Sequence, residues 1–414
     1  MLLTKSGGLI IGPISRLLGA ILSLLYDGLS NIGIESIGIA IILFTILVRL
    51  LIFPMMYKQN KSSKITAVIQ PEINKATKKY RGKTDQQSMM EVQRITKEIQ
   101  EKYGVNLASG CLTSLIQFPI FIGLYRVIMN VPAYVVKVKE LYNPIAMAIS
   151  NDTKAFEKMK VVVESANDKN MDMLLASVNQ SETNSIIDVL AKFPGDMWDK
   201  FCTELGNKGA VVDAITANSD QIEKIYNFFG IDLVSTPKFA LTAAIIIPIL
   251  SFIFQFLSMK VAPMQAGDDP AQQATMGMMR TMMYIFPVFS FFICMSVPSG
   301  VGLYWAAGSF ISFLTTVCMN AYFKHCDMDK ILEKSMAKAA KKIAKKKAKN
   351  KKSFMERMQE AAYGQQPEEQ KKTSHDYGNL KSYSSTNGSG QQYRAGSLAS
   401  KANIMQNYNY AEKK

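Results

Sequence analysis

One arginine sits where an arginine is expensive. Arg49 lies in ILFTILVRLLIFPMMY and is the single charged residue of the apolar run 36–57. It stands about six residues before the inner end of the spanning helix, so roughly 9 Å inside at about 1.5 Å per helical residue. A central arginine costs about 2.5–3.5 kcal/mol on insertion scales, and an ionisable group at that depth is a candidate for function by default. The alternative is snorkelling to the headgroups, for which the reach is borderline. An unpaired guanidinium needs water or acceptors, and no apolar run of this chain contains a carboxylate to meet it. Thr45 lies one turn away on the same helical face.

Small polar residues recur at helical spacing in the other apolar runs. Thr113 and Gln117 are spaced i, i+4; Ser251, Gln255 and Ser258 follow i, i+4, i+7. Trp305, Ser309, Ser312, Thr316 and Asn320 fall on one face of the last run. Each stripe alone reads as glue between helices, a common use of such residues. Together with Arg49 they read as the lining of a water-filled cavity open to the cytosol. The candidate groove residues are therefore Arg49, Thr45, Gln117, Gln255, Trp305, Ser309 and Ser312.

Enzyme chemistry has no foothold in the pattern, and no cofactor is expected. His325 and His375 both follow the last apolar run, which excludes an HExxH zinc site within the membrane. The absence of acidic residues from every run removes an aspartyl dyad. Gly82-Lys83-Thr84 has the ending of a phosphate-binding loop, but Thr77 stands where its first glycine belongs and no strand precedes it. Of the five cysteines, Cys111, Cys294 and Cys318 are in apolar runs, Cys326 just after the last, and Cys202 in a polar segment, with no pairing or metal-ligand spacing.

The elements that must position these residues are membrane helices. Residues 103–125 and 239–259 carry no charge, and residues 281–323 carry none over 43 positions, broken by Pro298-Ser299-Gly300. A spanning helix needs about 20 apolar residues, so the last run is two helices and the count is five. The fold class is an all-α integral membrane protein: a five-transmembrane-helix bundle with an outer interfacial helix, a cytosolic helical hairpin and a disordered basic C-terminal tail. The expected order is an interfacial helix in 1–33, with a cleaved signal peptide as the rival reading, then a span at 34–57. A hairpin at 58–106, turning at Arg81-Gly82-Lys83, leads to a span at 107–130 and a helical outer loop at 131–237. Spans at 238–260, 280–297 and 300–323 follow, with a cytosolic loop at 261–279 and the tail at 324–414.

Charge sets the orientation. Residues 56–105 hold 11 Lys/Arg against 5 acidic residues, and residues 324–352 hold 12 Lys against 3. Lys/Arg-rich flanks stay in the cytosol. An odd number of spans then puts the N-terminus outside and the C-terminus inside. Such basic faces attract anionic lipid and ribosomal RNA.

At this point the residues resemble the YidC family of membrane protein insertases. Residues 42–59, with Thr45, Arg49 and Pro54, resemble that family's first conserved span. Gln70-Pro71-Glu72 and Tyr103-Gly104-Val105-Asn106 resemble the two ends of its hairpin. Gly110-Cys111-Leu112, Gln117-Phe118-Pro119 and Leu124-Tyr125-Arg126 resemble its second span. Phe229-Gly230-Ile231-Asp232-Leu233 and Pro298-Ser299-Gly300 with Leu303-Tyr304-Trp305 follow in the family's order. Thr113, Ser309 and the pair Thr315-Thr316 depart from the usual pattern of Pro, Asn and a Gln pair, which implies a groove less polar at its inner end. The large outer domain of Gram-negative members is absent, as in the shorter Gram-positive type.

The resemblance implies a non-enzymatic insertase in the bacterial plasma membrane, acting through a hydrophilic groove closed to the outside. Its implied substrates are nascent membrane proteins. The Lys-rich stretch 330–352 is the candidate ribosome contact, and a targeting receptor and the general translocon are candidate further partners. A solute channel and a ribosome-binding scaffold are the competing readings.

Overall fold

The computed structural model describes residues 11–348 except 81, 84, 106–107, 167–170, 172–173, 238–241 and 263–283, and beyond 348 only 385–386 and 392–393. Residues 1–345 form one compact unit and 346–414 another. In the second unit Ser385–Thr386 pairs antiparallel with Gln392–Tyr393.

Helix α1 (Ile11–Asn31) buries Gly12, Ser15, Leu18, Gly19, Leu22, Tyr26 and Leu29. Those steps of three and four make a single apolar stripe, which packs on helix α4 (Ala108–Met129) and the short helix α5 (Val131–Tyr134). The approach is close enough that a Cβ at Gly19 would overlap the Tyr134 ring. The helix expected within 1–33 thus spans residues 11–31.

Helix α2 (Ile37–Thr77) is 41 residues long, opened by Ser36, whose hydroxyl accepts from the Ile39 N–H. At about 1.5 Å per residue it is about 60 Å long, twice the hydrocarbon thickness. The boundary expected at 57/58 is therefore no break: the first apolar span and the first arm of the hairpin are one helix. Hydropathy marks where lipid stops, whereas the segment 58–70 contains no Gly or Pro to stop the helix.

After a 3₁₀ turn (Lys78–Tyr80) and Gly82 at φ +79, helix α3 (Gln86–Lys102) folds back along α2. Asp85 caps it, accepting from the Ser88 N–H at 2.9 Å. The hairpin has a core of its own, Ile65, Ile69, Ile73 and Val105, with Ile99 and Tyr103 against it. Glu72 accepts from Lys102 Nζ at 2.9 Å and from the Tyr103 hydroxyl. These bonds, the tyrosine's first, hold its carboxyl below the usual range. The stabilisation is present above the ordinary carboxylate pKa and fades as pH falls through the lower folded value. With both partners about half exposed it is small.

The far end of the bundle carries helices α6 (Val136–Ser150), α7 (Thr153–Ser165), α8 (Thr183–Leu190), α9 (Gly195–Glu204) and α10 (Ala210–Tyr226). The two-residue strands β1 (Asn227–Phe228) and β2 (Ile231–Asp232) close that layer. Tyr142, Ile145, Ile149, Leu190, Phe201 and Tyr226 fill its core. Burial pushes the paired Tyr142 and Tyr226 hydroxyls well above the ordinary phenol range. This layer grips the start of α2: Glu35 accepts from Gln221 and lies 3.9 Å from Lys224 Nζ.

Helix α11 (Ile246–Val261), α12 (Tyr284–Ser296) and α13 (Ser299–Lys324) complete the apolar bundle. Among the described residues, α2, the stretch Ala243–Val261 and α13 are each long and apolar enough to cross a membrane; the apolar stretches Gln117–Met129 and Tyr284–Ser296 are shorter. Helix α13 packs broadly on α11 and α2. The Pro298 turn is tied to the far layer, Ser299 N–H and hydroxyl reaching the Ser235 carbonyl at 2.9 and 2.8 Å and Gly300 N–H the Leu233 carbonyl at 2.9 Å.

The Lys/Ala-rich start of the basic tail is a helix, α14 (Met328–Ala348); the disorder expected from about residue 363 onward falls outside the described residues except 385–386 and 392–393. Its first turns dock on the hairpin: Ile331 and Leu332 pack on the hairpin core, and the Ser335 hydroxyl donates to the Tyr103 carbonyl at 2.7 Å. Lys330, Lys334, Lys338, Lys341 and Lys342 are left exposed on the other side. Lysine abundance signals solvation, but lysine and alanine are also good helix formers, and an apolar residue every third or fourth position is enough for one docked face.

Gly104 makes that docking feasible. Its φ is +70, and a Cβ there would stand 3.1 Å from the Ser335 carbonyl oxygen. Gly104→Val should therefore cost roughly 1–2 kcal/mol from backbone handedness alone. Amide exchange across 328–340 should then accelerate about tenfold per 1.4 kcal/mol, while exchange in α13 stays unchanged. Unaltered exchange across 328–340 would refute the docking.

Candidate functional site

Three helices bring the candidate residues together around Arg49. The Nη2 end of the Arg49 guanidinium, on α2, comes up against Gly308 of α13. A Cβ at Gly308 would be 2.7 Å from Nη2, 3.5 Å from Cζ and 3.6 Å from Nε. Only a residue without a side chain leaves that space. Tyr304 stands one turn before Gly308 on the same face, close enough for its hydroxyl to act electrostatically on the guanidinium. That hydroxyl accepts from Gln117 Nε2 of α4 at 2.9 Å. One turn farther along α4, Phe121 meets Trp305 edge-on at 4.7 Å between ring centres. Helices α4 and α13 are thus joined by one polar and one aromatic contact, with Arg49 beside the polar one.

Arg49 makes no ion pair among the described residues. Arg49 is half-buried, and among the described residues no acceptor is hydrogen-bonded to its guanidinium. A guanidinium carries five N–H donors, so the site is built to receive acceptors from elsewhere: water, a carboxylate or a phosphate.

The remaining candidates divide. Thr45 is fully buried one turn from Arg49, its hydroxyl donating to the Ile41 carbonyl at 2.7 Å. Ser309 is buried and donates to the Trp305 carbonyl at 2.8 Å. Ser312 is half-buried one turn beyond Gly308, and its carbonyl accepts from Thr316 at 2.9 Å. Gln255 is not brought to Arg49. Its Nε2 donates to Ser251 and to Ser290, each at 2.8 Å, and so ties α11 to α12. Asn320 likewise serves packing, donating to the Val261 carbonyl at the end of α11 at 2.7 Å.

Sequence reading missed Tyr304 and Gly308 as site residues. Tyr304 is apolar enough to pass as core, and glycine offers no group to notice. The available signal was their i, i+4 spacing in the helix that carries the polar stripe.

The bundle is dry at the far end. Ile37, Ile41, Phe44, Leu124, Val127, Val131 and Val301 are all buried there. From Arg49 toward the hairpin, Leu50 and Leu51 are more than half exposed, an apolar surface suited to lipid.

The family model described as "60Kd inner membrane protein" matches residues 29–187 and 210–330. Relatives include the membrane protein insertase MisCA of Bacillus subtilis, 46% identical over 24% of this chain and 38% of its own length. Membrane protein insertase YidC of Oceanobacillus iheyensis is 42% identical over 27% of this chain and 43% of its own. The ALBINO3-like protein 1, chloroplastic, of Arabidopsis thaliana is 24% identical over 75% of this chain and 48% of its own. The chain thus spans less than half the length of these curated relatives.

The geometry predicts a coupled pair of mutations. Arg49→Leu should raise thermal stability in detergent, by an amount on the order of the 2–3 kcal/mol that a buried arginine costs. Gly308→Val should lower it by displacing the guanidinium, and in the Arg49→Leu background should cost clearly less. Additive effects in that double-mutant cycle would mean the two residues do not touch.

Proposed function

This chain belongs to the YidC insertase family, and from that premise we propose that it inserts and folds nascent membrane proteins through a polar intramembrane groove open to the cytosol. The single observation that carries the reading is the guanidinium of Arg49 coming up against Gly308 with no acceptor among the described residues. A permanent charge at that depth is costly, and a bundle needing only to be stable would fill the place with a leucine.

The mechanism follows from the site. A hydrophobic segment of the substrate docks along the lipid-facing side of α2 and α13. Its short polar tail enters beside Arg49, which attracts a carboxylate there and offers hydrogen bonds partway across. Unsatisfied polar backbone in hydrocarbon costs several kcal/mol per group, so each partner supplied lowers the barrier. Trp305 and Ser312 line the path, Thr45 and Ser309 shape its walls, and Gln117 fixes Tyr304 beside the charge. Partition of the apolar segment into lipid then drives the tail onward, with no covalent step. Packing of the far end around Ile37, Ile41 and Val131 supports a groove closed on that side, and argues against the rival reading as a solute channel.

The topology in this reading has five spans: α2, α4, α11, α12 and α13. The N-terminus and the layer α5–α10 are outside, the hairpin and the C-terminus in the cytosol, as the lysine distribution requires. Exposed lysines of α14 face ribosomal RNA or anionic lipid, and the hairpin receives the substrate or a targeting receptor; the general translocon is a further candidate partner.

Depletion of the protein should leave small membrane proteins with short outer tails uninserted. Arg49→Glu should impair acidic-tailed substrates most and neutral tails least. Equal loss for both would remove attraction by Arg49 from the mechanism. A photo-crosslinker at Trp305 or Ser312 should capture a stalled nascent chain, and one at Gln255 should not.

A further inference from the structure

Phe229 is 89% exposed and has φ +51. Both features are unfavourable in water. Left-handed backbone is strained for a residue with a bulky side chain, and a bare phenyl ring forgoes burial. The turn is nevertheless made firm: β1 and β2 pair on either side, and the Gly230 N–H donates to Asn227 Oδ1 at 2.8 Å. Glycine would suit the backbone better, so the ring itself must have a use.

Its place in the fold names the partner. Phe229 lies edge-on to Phe228, 4.8 Å between ring centres, and the Phe228 ring fills the space where a Cβ at Gly38 would go. Gly38 is in the first turn of α2. Phe229 therefore sits level with the start of the spanning helix, at the end of the bundle away from the hairpin. Other apolar residues are exposed around that level, Ile32 and Ile34 just before α2 and Leu43, Ile46 and Leu47 on other faces of α2. The nearby carboxylates are engaged, Glu35 by Gln221 and Lys224 and Asp232 by the Val234 N–H. Aromatic rings at this level belong in the boundary between headgroups and acyl chains.

We propose that Phe229 is a membrane anchor: its ring enters the lipid interface beside the first turn of α2 and fixes the far layer against the bilayer. The strained turn aims the ring into the lipid instead of back onto the protein, and the bilayer supplies the burial that the protein does not.

The test uses the full chain in phosphatidylcholine vesicles. Phe229→Trp adds an indole whose emission is read as the difference from the unaltered protein, which carries Trp198 and Trp305. Lipids brominated near the headgroup should quench the added emission about twofold more than lipids brominated near the chain ends, with iodide in the water quenching little. Strong iodide quenching without bromolipid quenching would overturn the proposal. Protection from both quenchers would mean that protein, such as a second copy of the chain, covers the ring, and would overturn it equally. Should the indole disturb the turn, a solvent-sensitive fluorophore on Phe229→Cys gives the same reading against a label on Lys208→Cys, in an exposed turn of the same layer. Emission should be blue-shifted at 229 alone; identical emission at both positions counts against the anchor.

Discussion

An arginine inside an apolar bundle, provided with room but with no ion-pair partner among the described residues, is the constraint around which the rest is arranged. The room comes from Gly308, the neighbouring dipole from Tyr304, and the orientation of that dipole from Gln117. Three helices are thereby committed to one small volume. A carboxylate from the protein would have neutralised the charge more cheaply, but it would also have occupied the donors. Leaving them open trades stability for availability, the pattern expected of a site whose ligand arrives from outside.

The polar residues around that volume play two different parts. Gln117 points toward the charge and binds a group that faces it. Gln255, in an equivalent-looking stripe, turns its amide between two serines and joins neighbouring helices. Serine and threonine hydroxyls mostly bond back to their own helix, as with Thr45, Ser309 and Thr316, and so present little polarity to the bundle. The surroundings of Arg49 are consequently less polar than their composition suggests.

How much of this could be read from residues alone follows from what each residue needs. Arg49 was legible because a charge in an apolar run has few explanations, and the apolar runs were legible because hydrocarbon thickness sets their length. The turn of the helical hairpin was legible at Gly82, a residue free to take the positive φ that the reversal uses. Three things were not. The continuity of α2 through residue 57 was hidden, since polarity changes there but helix propensity does not. The docking of α14 was hidden because Ile331, Leu332 and Ser335 are few among many lysines. The division between Gln117 and Gln255 was hidden because periodicity gives a face of a helix and not the neighbour it meets. Gly308 carried no signal beyond its spacing, since its contribution is the absence of atoms.

The unbroken helix from Ile37 to Thr77 has a mechanical meaning. It is a single rod with the charge near one third of its length and the hairpin at its end. About 40 Å separate Arg49 from Thr77 at helical rise. Whatever pushes on the hairpin therefore acts toward the guanidinium through one continuous helix, with no loop between them. Pro54, one turn beyond Arg49, deprives the rod of a backbone hydrogen bond at that point. It gives the lever a fulcrum just beside the charge it would steer.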